Sequence, residues 1–282
     1  MRTIGRLSWL AVCLVGLAGV HPDRLAVLDH AAITVDRAEH RMRYLAGLPL
    51  RGSTILAPLE DRLRALGLKP GAPVLVRIFK RESELEIWLR RGDRFVLFAT
   101  YPVCRWSGRL GPKLRQGDHQ APEGFYTVGA GQLNANSRWH RSFNLGFPNA
   151  FDRAHGRTGD FLMVHGGCSS VGCYAVTNAA VDEIWRLVTA ALSGGQQRFQ
   201  VQSYPFRLTA WNMRVHGSNV WHAFWSELKR GHDLFEESHV PPEISICDRR
   251  YAAAAGAPGN DGSRVIESRC PPTERLAAIG SR

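Results

Sequence analysis

"FLMVHGGCSSVGCYAVT", residues 161–177, sets one histidine and two cysteines in a glycine-rich turn between an apolar run and a threonine able to cap a helix. Three chemistries fit those residues. His165, Cys168 and Cys173 could ligate zinc at a spacing of His-x2-Cys-x4-Cys. A structural zinc site wants four ligands, usually with a second paired motif, and Cys104 has no companion cysteine. They could instead be a core histidine and two disulfide cysteines. Or one thiol is a nucleophile and the histidine is its base.

The third reading accounts for more of the stretch. A thiol becomes a strong nucleophile when a nearby base takes its proton or an electropositive loop stabilises the thiolate. His165 ends the apolar run Phe161-Leu162-Met163-Val164, so a strand would hold its ring. Cys173 directly follows Gly172. Gly166, Gly167 and Gly172 let the chain fold sharply enough to bring imidazole and thiol together. The backbone N–H groups of Gly172 and Cys173 are then candidate donors to an oxyanion. Loss of one such donor costs about 10²-fold or more in rate.

Outward from this turn, the N-terminus reads as an export signal. Arg2 and Arg6 precede the uncharged, mostly apolar run Leu7–Val20, with small residues at Gly16-Leu17-Ala18 for a peptidase to read. The run is shorter than the roughly 20 apolar residues that span a bilayer, and no later segment is longer. The expectation is an exported protein that is not integral to the membrane once the signal is cut. Cysteine counting then matters. Cys13 leaves with the signal, and Cys104, Cys168, Cys173, Cys247 and Cys270 remain, an odd number in an oxidising compartment. The net charge of +11 favours anionic surroundings. Basic residues are spread out, with no zinc-finger spacing, aromatic RNA-binding signature or Lys/Arg block, so nucleic acid is not expected as a partner.

Periodicity predicts a helical segment over 21–70, with Leu59, Leu63 and Leu66 on one stripe closed by Gly67. Strands are expected at 74–79, 85–89 and 95–103, the last two joined through Arg91-Gly92-Asp93. Shorter ones are expected at 124–128, 142–147, 161–164 and 199–204. Thr177 starts a helix that ends at Gly194-Gly195, and Trp221, Phe224, Trp225 and Leu228 mark another closed near Gly231. From about 252 the Ala-, Gly- and Pro-rich tail predicts disorder. The organisation is a signal over 1–20, a helical segment over 21–70, a catalytic domain over 71–235 and a C-terminal extension over 236–282. The fold class is mostly β with flanking helices.

"HGGCSSVGC", followed by Tyr174-Ala175, resembles the signature of the L,D-transpeptidases, the YkuD-like peptidoglycan enzymes: His165-Gly166, then Ser170-Val171-Gly172-Cys173. "GPKLRQGDHQAPEGFYTV", residues 111–128, resembles the family's segment leading into a strand that faces the cleft, with Pro122, Gly124 and Tyr126 in the matching places. Together with "GFPNAFDRAHGRTGD", these stretches are closest to the YafK-like branch. The likeness spans roughly 70–235. Two departures from the broader family, the short loop between His165 and Cys173 and Ala175 where most members carry arginine, fit that branch.

The resemblance implies a β-sandwich catalytic domain with helical additions and no cofactor or metal. It implies peptidoglycan stem peptides as substrate, and a peptidoglycan-linked lipoprotein as a possible partner. Cys173 would attack the carbonyl on the L-centre of diaminopimelate, His165 would move protons, and the Gly166 carbonyl would orient the ring. The acyl group would pass to water or, in a cross-linking enzyme, to an amine. Ser170, Tyr126, Arg153 and His155 are candidate substrate contacts, with Arg157, Lys113, Arg115 and Asp118 in the same loops. Tyr174 is a core residue or a cleft wall. Setting Cys173 aside, the preferred pairings are Cys104–Cys168 and Cys247–Cys270. The reading from another class is a non-catalytic wall-binding protein, which would be expected to have lost His165 or Cys173.

Overall fold

A computed structural model describes residues 22–53 and 57–270. The expected signal and Cys13 lie outside the described residues. In chain order the elements are α1 (Pro22–Leu45), α2 (Leu59–Ala65), β1 (Val74–Phe79), β2 (Glu84–Arg91), β3 (Arg94–Pro102), β4 (Arg105–Trp106), β5 (Gly124–Gly129), β6 (Leu133–Ser137) and β7 (His140–Asn144). There follow α3 (Ala150–Ala154), β8 (Met163–His165), β9 (Tyr174–Ala175), α4 (Asn178–Ser193), β10 (Arg198–Tyr204), α5 (Ala210–Val215), α6 (His222–Ser238), β11 (Glu243–Cys247) and β12 (Arg250–Ala254).

Two five-stranded sheets form the centre. One has the order β3-β2-β1-β10-β5 and the other β4-β9-β8-β7-β6, with β11-β12 as a separate hairpin. Alternating side chains of the first sheet serve two cores, as the period of two in a strand requires. Val74, Val76, Ile78, Val128 and Val201 join Phe143, Val164 and Tyr174 of the second sheet and Ile184 and Val188 of α4. Phe79, Phe125 and Tyr204 point the other way, toward Phe224, Trp225 and Leu228 of α6 and Ile244 and Ile246 of β11. The first sheet is thus buried on both faces.

α4 begins as expected, with the Thr177 hydroxyl accepting from Ala180 N–H at 3.2 Å. α6 differs from expectation, because Gly231 lies inside it and the helix continues to Ser238. A Cβ at Gly231 would come within 2.6 Å of the Phe125 ring. This glycine lets the helix approach the sheet and is not a stop. The helix ends instead at His239, in the left-handed conformation at φ 54°.

α1 is fastened to the second sheet's edge. Arg37 donates to the Gly108 carbonyl at 3.0 and 3.1 Å and lies over the Trp106 ring. His40 Nδ1 lies 3.1 Å from the Val103 carbonyl, and Asp29 contacts both Arg81 and His216. Among the described residues no helix is long and apolar enough to cross a membrane.

The tail corrects one expectation. Disorder beyond about 252 does not hold as far as Cys270. β12 continues to Ala254, and Ile266 is buried. Gln196 Nε2 donates to the Asp261 carbonyl at 2.7 Å, and Ser263 Oγ to that of Arg198 at 3.0 Å. Cys247 and Cys270 are disulfide-bonded, with Cα atoms 4.5 Å apart. A segment poor in large apolar side chains has little core of its own. This one is held by backbone hydrogen bonds and a covalent staple, neither of which composition displays.

Candidate active site

Strand pairing positions the histidine and the thiol. β8 and β9 run parallel, with Val164 opposite Tyr174 and His165 opposite Ala175. Cys173 is two residues before Ala175, so by strand alternation it falls on the same side as His165. Its Sγ accepts from Met163 N–H at 3.4 Å and lies 3.5 Å from the Phe161 carbonyl, to which the thiol donates. Phe161 itself is exposed with φ 51°, so the expected 161–164 strand starts later, at Met163.

The disulfide between Cys104 and Cys168, Cα atoms 5.2 Å apart, ties the chain before β4 to the turn. That bond uses the Cys168 sulfur, which removes the zinc reading of His165, Cys168 and Cys173. Both preferred pairings are present. Cys173 is the free cysteine among the described residues, and it is buried.

The turn around Cys173 is closed by a hydroxyl. Ser170 Oγ accepts from Cys173 N–H at 3.0 Å and donates to the Cys173 carbonyl at 2.7 Å. Ser107 Oγ lies 2.8 Å away from it. Ser170 is a buried strut of the turn, with its hydroxyl engaged on both the N–H and the carbonyl of Cys173. Cys173 N–H, already engaged, is not a free oxyanion donor here, whereas Gly172 N–H donates to no described residue. Gly172 sits at φ 92°, a conformation that suits glycine.

His165 is buried, and its Nδ1 lies 2.6 Å from the carbonyl of its own neighbour, Gly166. Nδ1–H is therefore the donor, and Nε2 is left to accept a proton. Burial lowers the imidazole's pKa, and the Gly166 bond offsets part of that. Burial raises the Cys173 thiol's pKa, against smaller lowering effects from Met163 N–H and the Lys113 charge. Both shifts favour a neutral thiol beside a neutral imidazole at rest, so the proton must move during attack.

Gly166 is small because space requires it. A Cβ there would meet Asn178 Oδ1 at 2.7 Å, Val181 Cγ1 at 3.0 Å and the Trp139 carbonyl at 3.1 Å. Gly166→Ala is expected to displace the carbonyl that orients His165. A misplacement of about 1 Å typically costs about 10²-fold in rate. The check is the rate of Cys173 acylation by a carbapenem, with melting temperature measured beside it. A normal rate would dissociate the Gly166 carbonyl from the chemistry.

The remaining candidates disperse. Tyr126 is buried in the sheet, with its hydroxyl directed to the Glu123 carbonyl and Asp152 Oδ2, both at 3.3 Å, so it does not face a cleft. Arg157 is buried on Asp152 at 2.8 Å. Tyr174 is core, donating to the Pro122 carbonyl at 2.6 Å. Arg153 and His155 are exposed on and just after α3. Arg153 bonds the Pro148 carbonyl, and His155 lies against the Phe151 ring. Lys113 is buried with its ammonium on Asp118 at 2.5 Å. Asp118 also accepts from the N–H groups of Leu114, Arg115 and Gln120.

No family model matches the chain. The chain is 48% identical over 184 residues, 65% of its length and 75% of the relative's, to the protein named "Putative L,D-transpeptidase YafK" of Escherichia coli K12. The same figures hold for its counterpart in E. coli O157:H7. The chain belongs to the YafK-like branch of the L,D-transpeptidase family. Two solved structures show weaker likeness. The helical cell shape determining protein Pgp2 of Campylobacter jejuni is 17% identical, with 66% of this chain and 79% of that one covered at a TM-score of 0.39. Bd1075 of Bdellovibrio bacteriovorus is 17% identical, with 59% and 65% covered at a TM-score of 0.34. At these TM-scores neither adds to the sequence match. Membership of the L,D-transpeptidases directs attention to His165 at the end of β8 and Cys173 directly before β9.

Proposed function

We propose that this L,D-transpeptidase-family chain is an exported, periplasmic cysteine enzyme acting on peptidoglycan stem peptides. The observation that carries the proposal is the free thiol of Cys173, directly before the strand paired with that of His165, together with the Nδ1 bond to the Gly166 carbonyl that leaves Nε2 to act as a base. Cys173 Sγ attacks the carbonyl on the L-centre of diaminopimelate while His165 Nε2 takes the thiol proton. The amide C–N bond breaks, the imidazolium gives its proton to the leaving amine, and a thioester remains. Water then attacks the thioester, its proton passes to His165, and the Cys173 thiolate leaves and is reprotonated. With a lipoprotein lysine as the leaving amine, the net reaction detaches the lipoprotein from the wall. The net charge of +11 suits an anionic wall polymer.

A cross-linking transpeptidase is the second reading, since it shares the acyl-enzyme. An amine outcompetes water only if a second site holds it. Positioning is then worth effective molarities of about 10⁵ M or more. The short His165–Cys173 loop favours water. The test incubates signal-free protein with a tetrapeptide muropeptide and with one carrying a lysine-containing remnant on diaminopimelate. Mass spectrometry is expected to show the remnant released and a free tripeptide muropeptide formed. Dimers joined through diaminopimelate, with the remnant still attached, would make this a cross-linking enzyme.

A further inference from the structure

The β6–β7 hairpin is an element with no role in the chemistry so far, and its tip lies against the candidate base. Trp139 occupies the turn between the two strands. Its ring stacks on His165 at 5.8 Å between centroids and 30° between planes. It is only half-buried, at the end of a polar hairpin, outside the two main cores. A large aromatic side chain in such a place needs a partner to justify it, and here the partner is the imidazole. The backbone agrees. The Trp139 carbonyl and Cε3 stand 3.1 and 3.3 Å from where Cβ atoms on Gly166 and Gly167 would be. Gly166 N–H donates to the Arg141 carbonyl at 3.2 Å. The two glycines after the histidine are the space into which the hairpin fits.

We propose that Trp139 is a positioning residue for His165: the hairpin tip lies against one face of the imidazole and the Gly166 carbonyl fixes its edge, so the ring keeps one orientation. Two restraints at right angles, one on the ring's edge and one on its face, fix a flat group that rotates about χ1 and χ2. The inference rests on the reading of His165 as the base, and its test does not require the natural substrate. Trp139 also keeps water from the ring, in line with the lowering of the imidazole's pKa by burial. The charged and titratable groups around it are Arg138, His140 and Arg141 on the hairpin, Asp182 on α4, Cys173 on the turn and Lys113 in the 108–124 loop. Asp182 is matched by His140 at 2.8 Å and Arg141 at 2.9 Å, which leaves burial as the leading influence on the ring.

The experiment follows the His165 ring by NMR titration in histidine-labelled protein, its signal assigned with His165→Gln. It also follows Cys173 alkylation by iodoacetamide against pH. Wild type is expected to titrate below the ordinary imidazole pKa of about 6.5. Removing the stack opens the ring to water, so Trp139→Ala and Trp139→Leu are expected to move the titration up toward that value. The acid limb of the alkylation profile should move up with it. Muropeptide turnover in these variants should fall in kcat, by about tenfold or more, with little change in KM. Trp139→Phe, which keeps an aromatic face, is expected to restore most of both. Trp139→Leu, smaller than the indole and without a flat face to cover the ring, serves should the alanine variant fold poorly. An unmoved His165 titration in a folded Trp139→Leu protein overturns the proposal. If no muropeptide is turned over but the titration and alkylation move together, the positioning role stands and the substrate assignment fails.

Discussion

Replacing Cys173 with alanine is expected to abolish turnover and to remove labelling by thiol reagents or a carbapenem, with the fold intact. Losing a nucleophile from a cooperating pair leaves only binding and fixed dipoles, so the fall should be about 10⁴-fold or more. Folding should survive because the side chain's hydrogen bonds are two long contacts to sulfur at 3.4 and 3.5 Å. The turn itself is held by Ser170 and by the Cys104–Cys168 disulfide. Cys168→Ala separates the two cysteines experimentally. It breaks that bond, which closes a loop across a sequence separation of 64, and a cost of roughly 2–4 kcal/mol in stability is expected. The reactive thiol should remain at position 173 and label there. Labelling that disappears with Cys168→Ala but persists in Cys173→Ala would reverse the assignment.

Much of this site is legible in the sequence because its chemistry and its constraints coincide. A strand ending in His-Gly-Gly and a turn ending in Gly-Cys are unusual for ordinary core. Removing Cys173 from an odd set leaves two pairs, and both preferred pairings are present. The glycines are legible as a necessity, although for Gly166 and Gly231 the reason is close approach of a neighbouring element and not turn geometry.

The surroundings of the candidate substrate contacts are less legible, for a definable reason. Tyr126 lies on a strand of a sheet buried on both faces, where alternation does not distinguish a cleft from a core. Ser170 is a residue type that binds ligands and closes turns with the same hydroxyl. The expected strand at 142–147 overlaps β7, but its partner β6 is not legible, because Leu133–Ser137 has almost no apolar alternation and is mostly exposed. The C-terminal hairpin turns on Asp248-Arg249, both at positive φ, without the Asn-Gly or Asp-Gly pair that marks such turns.

One ion pair invisible in the sequence should weigh heavily in the stability of the frame around the 108–124 loop. Lys80, just after β1, and Glu123, just before β5, meet at 2.9 Å with both side chains fully buried. Burial lowers the lysine's pKa, and the Glu123 carboxylate opposes that shift. The pair is completely hydrogen-bonded. The ammonium also donates to the Gly111 and Arg109 carbonyls at 2.8 and 3.3 Å. The carboxylate accepts from Gly111 N–H at 2.7 Å and from the Trp225 indole of α6 at 2.8 Å. Together these bonds pin the 108–124 loop, which carries Lys113, between the first sheet and α6. Lys80→Met would leave a carboxylate buried without its cation, at an expected cost of about 3–5 kcal/mol. For a domain of this size each kcal/mol moves the melting temperature by roughly 2–4 °C, so a fall of about 6–20 °C is expected in a thermal scan. The double variant Lys80→Met with Glu123→Leu removes both charges and should recover a substantial part of that loss, because the penalty comes from the stranded charge. A single variant that melts within a degree or two of wild type would show that the pair contributes little. A double variant no more stable than Lys80→Met would place the cost in lost loop hydrogen bonds instead.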